Sequence, residues 1–340
     1  MGIIAMDGKF NVLMLRQEEG ITHAAVEEIT EADLPEGEVL VDIAYSSLNY
    51  KDALAVSGKG RIIRRFPFIA GIDLAGAVSE SASPDFKPGD SVLVTGWGVG
   101  EKFWGGYAQK ARVKAAWLLP HPTGLTPFQA MSIGTAGLTS MFCLMALEEH
   151  GLAPGDGKEI VVTGATGGVG SVAVSLLAHL GYRVSAVTGR SDRALFLKKL
   201  GASEVIARNE LTASNKPLQS GRWAGAIDAV GGSTLAGVLS SLAYGGSVAA
   251  CGLAGGSDLA TTVFPFILRG VNLLGIDSAY VPNEKRARAW QRLSDWIAAR
   301  GANLQPQLIG LGEVPQYSEE LLSSKLQGRF VVDVNAVSAK

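Results

Sequence analysis

The sequence predicts an α/β protein: a doubly wound parallel sheet with helices on both faces, joined to a second, β-rich domain. Three observations predict it. From Glu159 onward, short apolar runs of strand character alternate with helix-like runs, the pattern of successive βαβ units. Before Leu125, several short alternating runs are punctuated by Gly and Pro, as in compact β domains and barrels. Between them, a glycine-rich stretch, Gly164-Ala165-Thr166-Gly167-Gly168-Val169-Gly170, stands where a strand gives way to a helix.

Composition limits the function classes. A length of 340 residues suits two domains, and 30 Lys plus Arg against 32 Asp plus Glu leave a net charge of −2. That balance argues against nucleic acid as the main partner, which calls for a basic excess. With 47% hydrophobic residues the chain can bury sizeable cores. Its 43 glycines are scattered rather than periodic, which excludes a collagen-like or low-complexity reading. Cys143 and Cys251 are too few for a disulfide framework or a multi-thiolate metal site and are read as reduced thiols, although one bond between them is an alternative. The first residues carry no basic stretch followed by a long apolar one, residue 6 is Met where a myristoylation pattern needs Ser or Thr, and the uncharged run 164–177 is broken by Gly, Ser and Thr. A cytoplasmic protein without a membrane segment is expected.

The elements follow in order. Residues 39–44 alternate as a strand after the Pro35-Glu36-Gly37 turn, and 74–78 and 91–95 are similar, the latter introduced by Lys87-Pro88-Gly89-Asp90; 107–113 make another. Thr126-Pro127 opens a helix, Thr as N-cap and Pro at the first position, whose apolar stretch runs to Leu147 and stops at Gly151. Strands are then expected at 160–163, 183–188, just before Arg208, and at 226–230, 247–251 and 271–276, with helices at 169–180, 193–200 and 235–242. A helix over 284–299 carries Trp290 and Trp296, a last helix spans 318–323 and a last strand 329–334. These are expected to rejoin the first domain, because a six-strand nucleotide fold is complete at Ile276. The expected domains are 1–125 with 277–340, and 126–276.

The glycine-rich turn carries chemistry. A pyrophosphate reaching a helix N-terminus meets free N–H groups and a favourable dipole, and side chains there would block it. Thr166, Gly167, Gly168 and Val169 are the candidate contacts, and a tight turn without ligand is the competing reading. Dinucleotide folds that take NAD usually end the second strand on Asp or Glu; here Thr188-Gly189-Arg190 stands instead, and Arg190 offers a charged fork for a 2′-phosphate. Arg208 is either a second cation there or a surface charge, and Asp192 fills the acidic role if the turn is shifted. NADPH is the expected cofactor. The loop Cys251-Gly252-Leu253-Ala254-Gly255-Gly256 follows a strand and is expected over the cofactor crevice, with Leu253, Ile267 and Ser278 as further candidates.

The order of domains, with Ser46-Ser47-Leu48-Asn49-Tyr50-Lys51-Asp52, Gly71-Ile72-Asp73-Leu74-Ala75-Gly76, Gly96-Trp97-Gly98-Val99-Gly100-Glu101, Trp104-Gly105-Gly106, Ala249 to Gly256 and Leu326-Gln327-Gly328-Arg329, resembles the medium-chain dehydrogenase/reductase superfamily. Within it the motifs look like the quinone oxidoreductase branch without zinc, and in that branch like the NADPH-dependent acryloyl-CoA reductases. The resemblance implies a Rossmann NADPH-binding domain, a GroES-like catalytic domain and a homodimer whose last sheet strand, 271–276, continues across the twofold axis. It also sets a metal question: the zinc members carry Gly-His-Glu in the first domain, where this chain has Gly71-Ile72-Asp73, and their catalytic cysteine has no counterpart in 49–52. His23, His121, His150 and His179 lack ligand spacing, so no metal is expected.

Without a Lewis acid, hydride addition to an activated C=C bond is the better-suited reaction than alcohol oxidation. The resemblance implies that Tyr50 faces the nicotinamide site as proton donor or enolate hydrogen-bond donor, with Asn49 orienting it or merely shaping the pocket. Lys51 and Asp52 read as a neighbouring ion pair. Lys59, Arg61, Arg64 and Arg65 form a basic loop that either meets acyl-CoA phosphates or is a solvated face, and Arg329 is a further substrate candidate. Ser324, where the family often has Asn, is a candidate cofactor contact. The expected function is reduction of acryloyl-CoA to propionyl-CoA. A quinone reductase and a non-catalytic NADPH-binding or redox-sensing protein are the rivals.

Overall fold

The computed structural model describes residues 8–154, 158–212, 216–300 and 304–337, and the chain divides into two units, Met1–Thr135 with Ala279–Lys340 and Ala136–Ser278. In the first unit, Val39–Ser47 is the central strand. It pairs antiparallel with Asp73–Ser81, with Lys110–Val113 and, at its far end, with Phe330–Asp333, which in turn pairs in parallel with Gln307–Gly310. Ser91–Thr95 and Leu119–Pro120 complete the seven-stranded sheet. Inward-facing Val39, Val41, Ile43, Leu74, Val92, Val94, Phe330 and Val332 are buried together, so the alternation in sequence becomes one packed core. The register between Val39–Ser47 and Asp73–Ser81 shifts between Ile43 and Tyr45, and such a bulge re-aims the residues that follow, Ser46 to Asn49.

The second unit holds a six-stranded parallel sheet in the order Glu204–Ala207, Arg183–Thr188, Glu159–Val162, Trp223–Asp228, Leu242–Ala250, Asn272–Gly275. The first strand in sequence lies inside the sheet, and the chain builds outward from it in both directions. The order therefore reverses at the carboxyl end of Glu159–Val162, where a doubly wound fold leaves a crevice. Ile160, Val161, Val162, Val184, Ala186, Ala226, Ile227 and Val248 are fully buried, which is why these strands read as continuous apolar runs.

Several elements differ from expectation. A hairpin, Lys9–Glu18 with Ile21–Thr30, was not expected; its turn residues Glu19 and Gly20 both take positive φ (51° and 82°), and glutamate is an unusual residue for that geometry. The helix Pro127–Glu149 is interrupted at Gly134 (φ 53°, ψ −163°). It is long and apolar enough to cross a membrane, and 89% of its apolar window is buried in the fold. The strand expected at 107–113 shortens to Lys110–Val113, and Tyr107 instead buries its ring and donates its hydroxyl to the Ser47 carbonyl at 3.1 Å. The helix expected at 235–242 spans Gly232–Ser241, entered through Gly231 and Gly232, both at positive φ.

Candidate active site

In the second unit, the strand Glu159–Val162 passes through Gly164 (φ 58°) into the helix Gly168–His179. A Cβ on Gly170 would stand 2.3 Å from the Gly164 carbonyl oxygen, so only glycine lets the helix close onto the turn. The N-cap is Gly167 and no side chain caps the first turn. The helix N-terminus thus keeps its N–H groups for an outside acceptor, the arrangement a pyrophosphate needs. Thr166 is buried beside it, and Gly167, Gly168 and Val169 are partly exposed.

At the tip of the neighbouring strand Arg183–Thr188, Arg190 donates from Nη2 to the Thr166 hydroxyl at 2.6 Å, and its backbone N–H donates to the Thr188 hydroxyl at 3.0 Å. Arg208 opens the helix Arg208–Thr212, and its guanidinium lies where a Cβ on Gly189 would be, 2.4 Å from Nη2. The Arg208 guanidinium therefore lies against Gly189, the residue before Arg190. Burial lowers the basicity of Arg190, and the nearby Arg193 charge acts the same way while Asp192 opposes it, a cost that a bound phosphate would offset. Asp192, the alternative acidic residue, is instead turned to Arg193 at 3.0 Å. The residues present fit a dinucleotide carrying a 2′-phosphate.

Sequence reasoning missed Asp228, which organises the far side of this crevice. Its carboxylate accepts from the Thr163 hydroxyl at 2.6 Å and the Gly231 N–H at 2.8 Å, while its carbonyl accepts from Cys251 N–H at 2.9 Å. Burial pushes its carboxyl above the usual range, and the Thr163 and Gly231 bonds oppose that. The signal was an acid at the end of an apolar strand run, read only as a strand residue. The bonds fix the loop that starts at Cys251, where Leu253 stands 66% exposed. Ile267, on the helix Phe264–Arg269, is 68% exposed, and Ser278 is partly exposed.

In the first unit, Tyr50 is the first residue of the helix Tyr50–Val56 and is 45% exposed. Behind it lies a buried polar cluster. Asn49 donates from Nδ2 to the Asp73 carboxylate (2.9 Å), the Asp52 carboxylate (3.0 Å) and the Ser47 hydroxyl (3.0 Å), and its Oδ1 accepts from Arg329 at 3.1 Å. Asp73 also accepts from Ser47 Oγ at 2.5 Å and from the N–H and hydroxyl of Thr135 at 2.9 and 2.5 Å. Asp52 takes the N–H groups of Asn49 and Ile72 at 3.0 and 2.9 Å. Its carboxyl is pushed up to about 7 by burial and by the neighbouring Asp73 charge. Gly134 makes room for the cluster: a Cβ there would lie 2.6 Å from Arg329 Nη2 and 2.7 Å from Asp73 Oδ2.

Two expectations are corrected here. Arg329 is not placed for substrate: it is buried, and it bonds the carbonyls of Ser132 and Leu48 as well as Asn49. Lys51 and Asp52 are not an ion pair, because adjacent helical residues point about 100° apart; Lys51 pairs with Glu101 at 3.0 Å while Asp52 turns inward. Of the basic loop, Lys59 pairs with Glu319, and Arg61, Arg64 and Arg65 are exposed. Ser324 takes a left-handed conformation (φ 59°) just past the helix Val314–Leu322.

A zinc ion does not fit these residues. Among the described residues no group of three or more His, Cys, Asp or Glu side chains is gathered for a metal. Asp73 has its oxygens occupied by four donors, and Cys143 and Cys251 both belong to the other unit.

Residues 35–123 match the family described as alcohol dehydrogenase GroES-like domain, and residues 168–298 the family described as zinc-binding dehydrogenase. The chain is 55% identical over 323 residues to the probable acrylyl-CoA reductase AcuI of Escherichia coli (strain K12), covering 95% of this chain and 99% of that one. It is 52% identical over 330 residues to the acrylyl-CoA reductase AcuI of Ruegeria pomeroyi, covering 96% and 100%. Among solved structures, E. coli K-12 YhdH with bound NADPH superposes with a TM-score of 0.93 at 54% identity, covering 95% of this chain and all of that one. The chain belongs to the medium-chain dehydrogenase/reductase family, in its acrylyl-CoA reductase group.

Proposed function

We propose that this protein is an NADPH-dependent reductase of the C=C bond of a short enoyl thioester, converting acryloyl-CoA to propionyl-CoA without a metal. The observation that carries the reading is identity above 50%, along nearly the whole chain, to reductases named for that substrate. The Arg190 guanidinium at Thr166 and the Arg208 guanidinium over Gly189 support the phosphorylated dinucleotide.

Bound NADPH supplies a hydride to Cβ of the enoyl group. Charge then develops on the thioester oxygen, and Cα must take a proton. Tyr50 gives that proton, or its hydroxyl holds the enolate oxygen; it is the exposed ionisable group that the buried cluster presents at the start of its helix. Asn49 orients it from below, with every polar group of its side chain engaged. The exposed arginines of the basic loop, Arg61, Arg64 and Arg65, serve the substrate's phosphates.

The protein is further proposed to be a cytoplasmic homodimer. The free thiols suit a reducing compartment. The edge strand Asn272–Gly275 of the six-stranded sheet carries exposed apolar neighbours.

A substrate panel tests the reading. Acryloyl-CoA should saturate the enzyme with NADPH consumption, and quinones should turn over weakly. Fast quinone reduction with negligible acryloyl-CoA turnover would make it a quinone reductase, and tight NADPH binding without turnover of either would make it a binding protein. Tyr50→Phe should cost roughly 10²-fold in kcat; an unchanged rate removes Tyr50 from the chemistry.

A further inference from the structure

The first unit carries a cationic and aromatic surface of which the reading above uses only the basic loop. It begins beside Tyr50: Lys51 pairs with Glu101, and the next residues, Lys102 and Phe103, open outward. Lys102 donates to the Tyr280 hydroxyl at 2.7 Å, with its ammonium 5.1 Å from the centre of that ring. The Tyr280 hydroxyl holds the Lys102 ammonium protonated, and Arg64 is close enough for its charge to oppose this. Phe103 packs against Trp117 at 4.6 Å between ring centres, and Lys114 lies over both rings at 5.8 and 5.4 Å.

Two features make this more than a solvated face. Tyr280 and Phe103 keep 47% and 41% of their surface in water, which costs hydration free energy unless something covers them. Arg64, with Arg61 and Arg65 beside it, makes no ion pair among the described residues, so like charges are held together without a counter-charge in a chain of net charge −2. Exposed rings interleaved with exposed cations are what a nucleotide needs: rings for the base to stack on, and cations for its phosphates. The site proposed above for the cofactor already has its own anion partners, Arg190 and Arg208.

We propose that Arg64, Lys102, Phe103 and Tyr280, with Lys114 and Trp117 behind Phe103, bind the 3′-phosphoadenosine diphosphate end of the coenzyme A thioester. This rests on the thioester reading above and deepens it. The pantetheine arm runs from this platform toward Tyr50. Recognition of the nucleotide, not of the acryloyl group, then supplies most of the substrate's affinity, as remote binding should in an enzyme acting on so small an acyl group.

The test compares acryloyl-CoA with acryloyl-pantetheine, which has the same reacting group and no nucleotide. Lys102→Glu and Arg64→Glu should each lower the ratio of kcat/KM for the CoA ester over the pantetheine ester at least tenfold, and Phe103→Ala about threefold or more. In parallel, adenosine 3′,5′-bisphosphate titrated into NADPH-saturated enzyme should bind, with Kd raised at least tenfold in Lys102→Glu. Ratios at the wild-type value, or a bisphosphate that binds only by displacing NADPH, would overturn the proposal. Wild-type enzyme that binds the bisphosphate on top of NADPH, loses it in Lys102→Glu and yet reduces neither thioester would sink the thioester reading and leave the nucleotide face standing.

Discussion

At the tip of the strand Arg183–Thr188, a glycine decides where two charges go. Because Gly189 has no Cβ, the Arg208 guanidinium can lie across the turn, while Arg190 is steered by Thr166 from the phosphate-binding turn itself. The same hydroxyl thus ties the glycine-rich turn to the tip of the neighbouring strand. Arg190→Ala should raise the KM for NADPH roughly 10- to 100-fold, the value of one charge-assisted hydrogen bond, and change the KM for NADH about threefold or less. Steady-state kinetics with both cofactors at saturating acryloyl-CoA decide it, and equal losses with NADPH and NADH would remove Arg190 from phosphate recognition. The glycine-rich turn and the missing strand-end acid were visible in sequence because both are local signals. The Thr166 bond was not, because 24 residues separate its partners and only the parallel pairing of their strands brings them together.

The helix Tyr50–Val56 is short, and its start is held by groups from far away in the chain. Asp52 closes a capping box with Asn49 and also anchors Ile72, so the segment that presents Tyr50 hangs on one buried carboxyl. That carboxyl keeps its proton up to about pH 7 in the folded protein, whereas an unfolded aspartic acid releases it near pH ~4. The folded state therefore binds more protons between these values. The resulting stability is complete below pH ~4 and is lost as pH rises through 7, at up to about 1.4 kcal/mol per pH unit. Asp52→Asn should flatten the fall of Tm between pH 4 and 7, and thermal unfolding curves that stay parallel to wild type would show that Asp52 does not titrate in that window. Sequence singled out Asn49 and Tyr50 on this segment but not the cluster behind them. Asp73 looked like a missing metal ligand and Arg329 like a substrate contact, because Arg329 and Asn49 stand 280 positions apart and no periodicity reports such a pair. The break at Gly134 escaped for a related reason: its cause is not a local turn signal but the volume of Asp73 and Arg329.

At the scale of the whole molecule, the six-stranded sheet ends on one side at Asn272–Gly275, which among the described residues pairs only with Leu242–Ala250. An unpaired parallel edge exposes N–H and C=O groups, and proteins normally blunt such an edge with charge, proline or a covering element. Here the neighbourhood is apolar instead: Leu273 on the strand and Val263, Phe264, Ile267 and Leu268 around the preceding helix are all exposed. So much exposed apolar surface beside one sheet edge is costly on a monomer and is the usual mark of an interface. A second copy meeting the same edge about a twofold axis would pair the strand and cover the patch in one contact, the self-complementary geometry of a cyclic dimer. Ile267, expected in sequence as a cofactor contact, gains in this arrangement a reason to be apolar and exposed. Light scattering on the eluting protein should give twice the 35.4 kDa chain mass. Ile267→Asp combined with Leu273→Asp should bring it to the monomer mass while far-ultraviolet circular dichroism stays that of the folded chain. A wild-type protein at the single-chain mass would leave the edge without a twofold partner, and a double variant that stays dimeric would place the interface elsewhere on the surface.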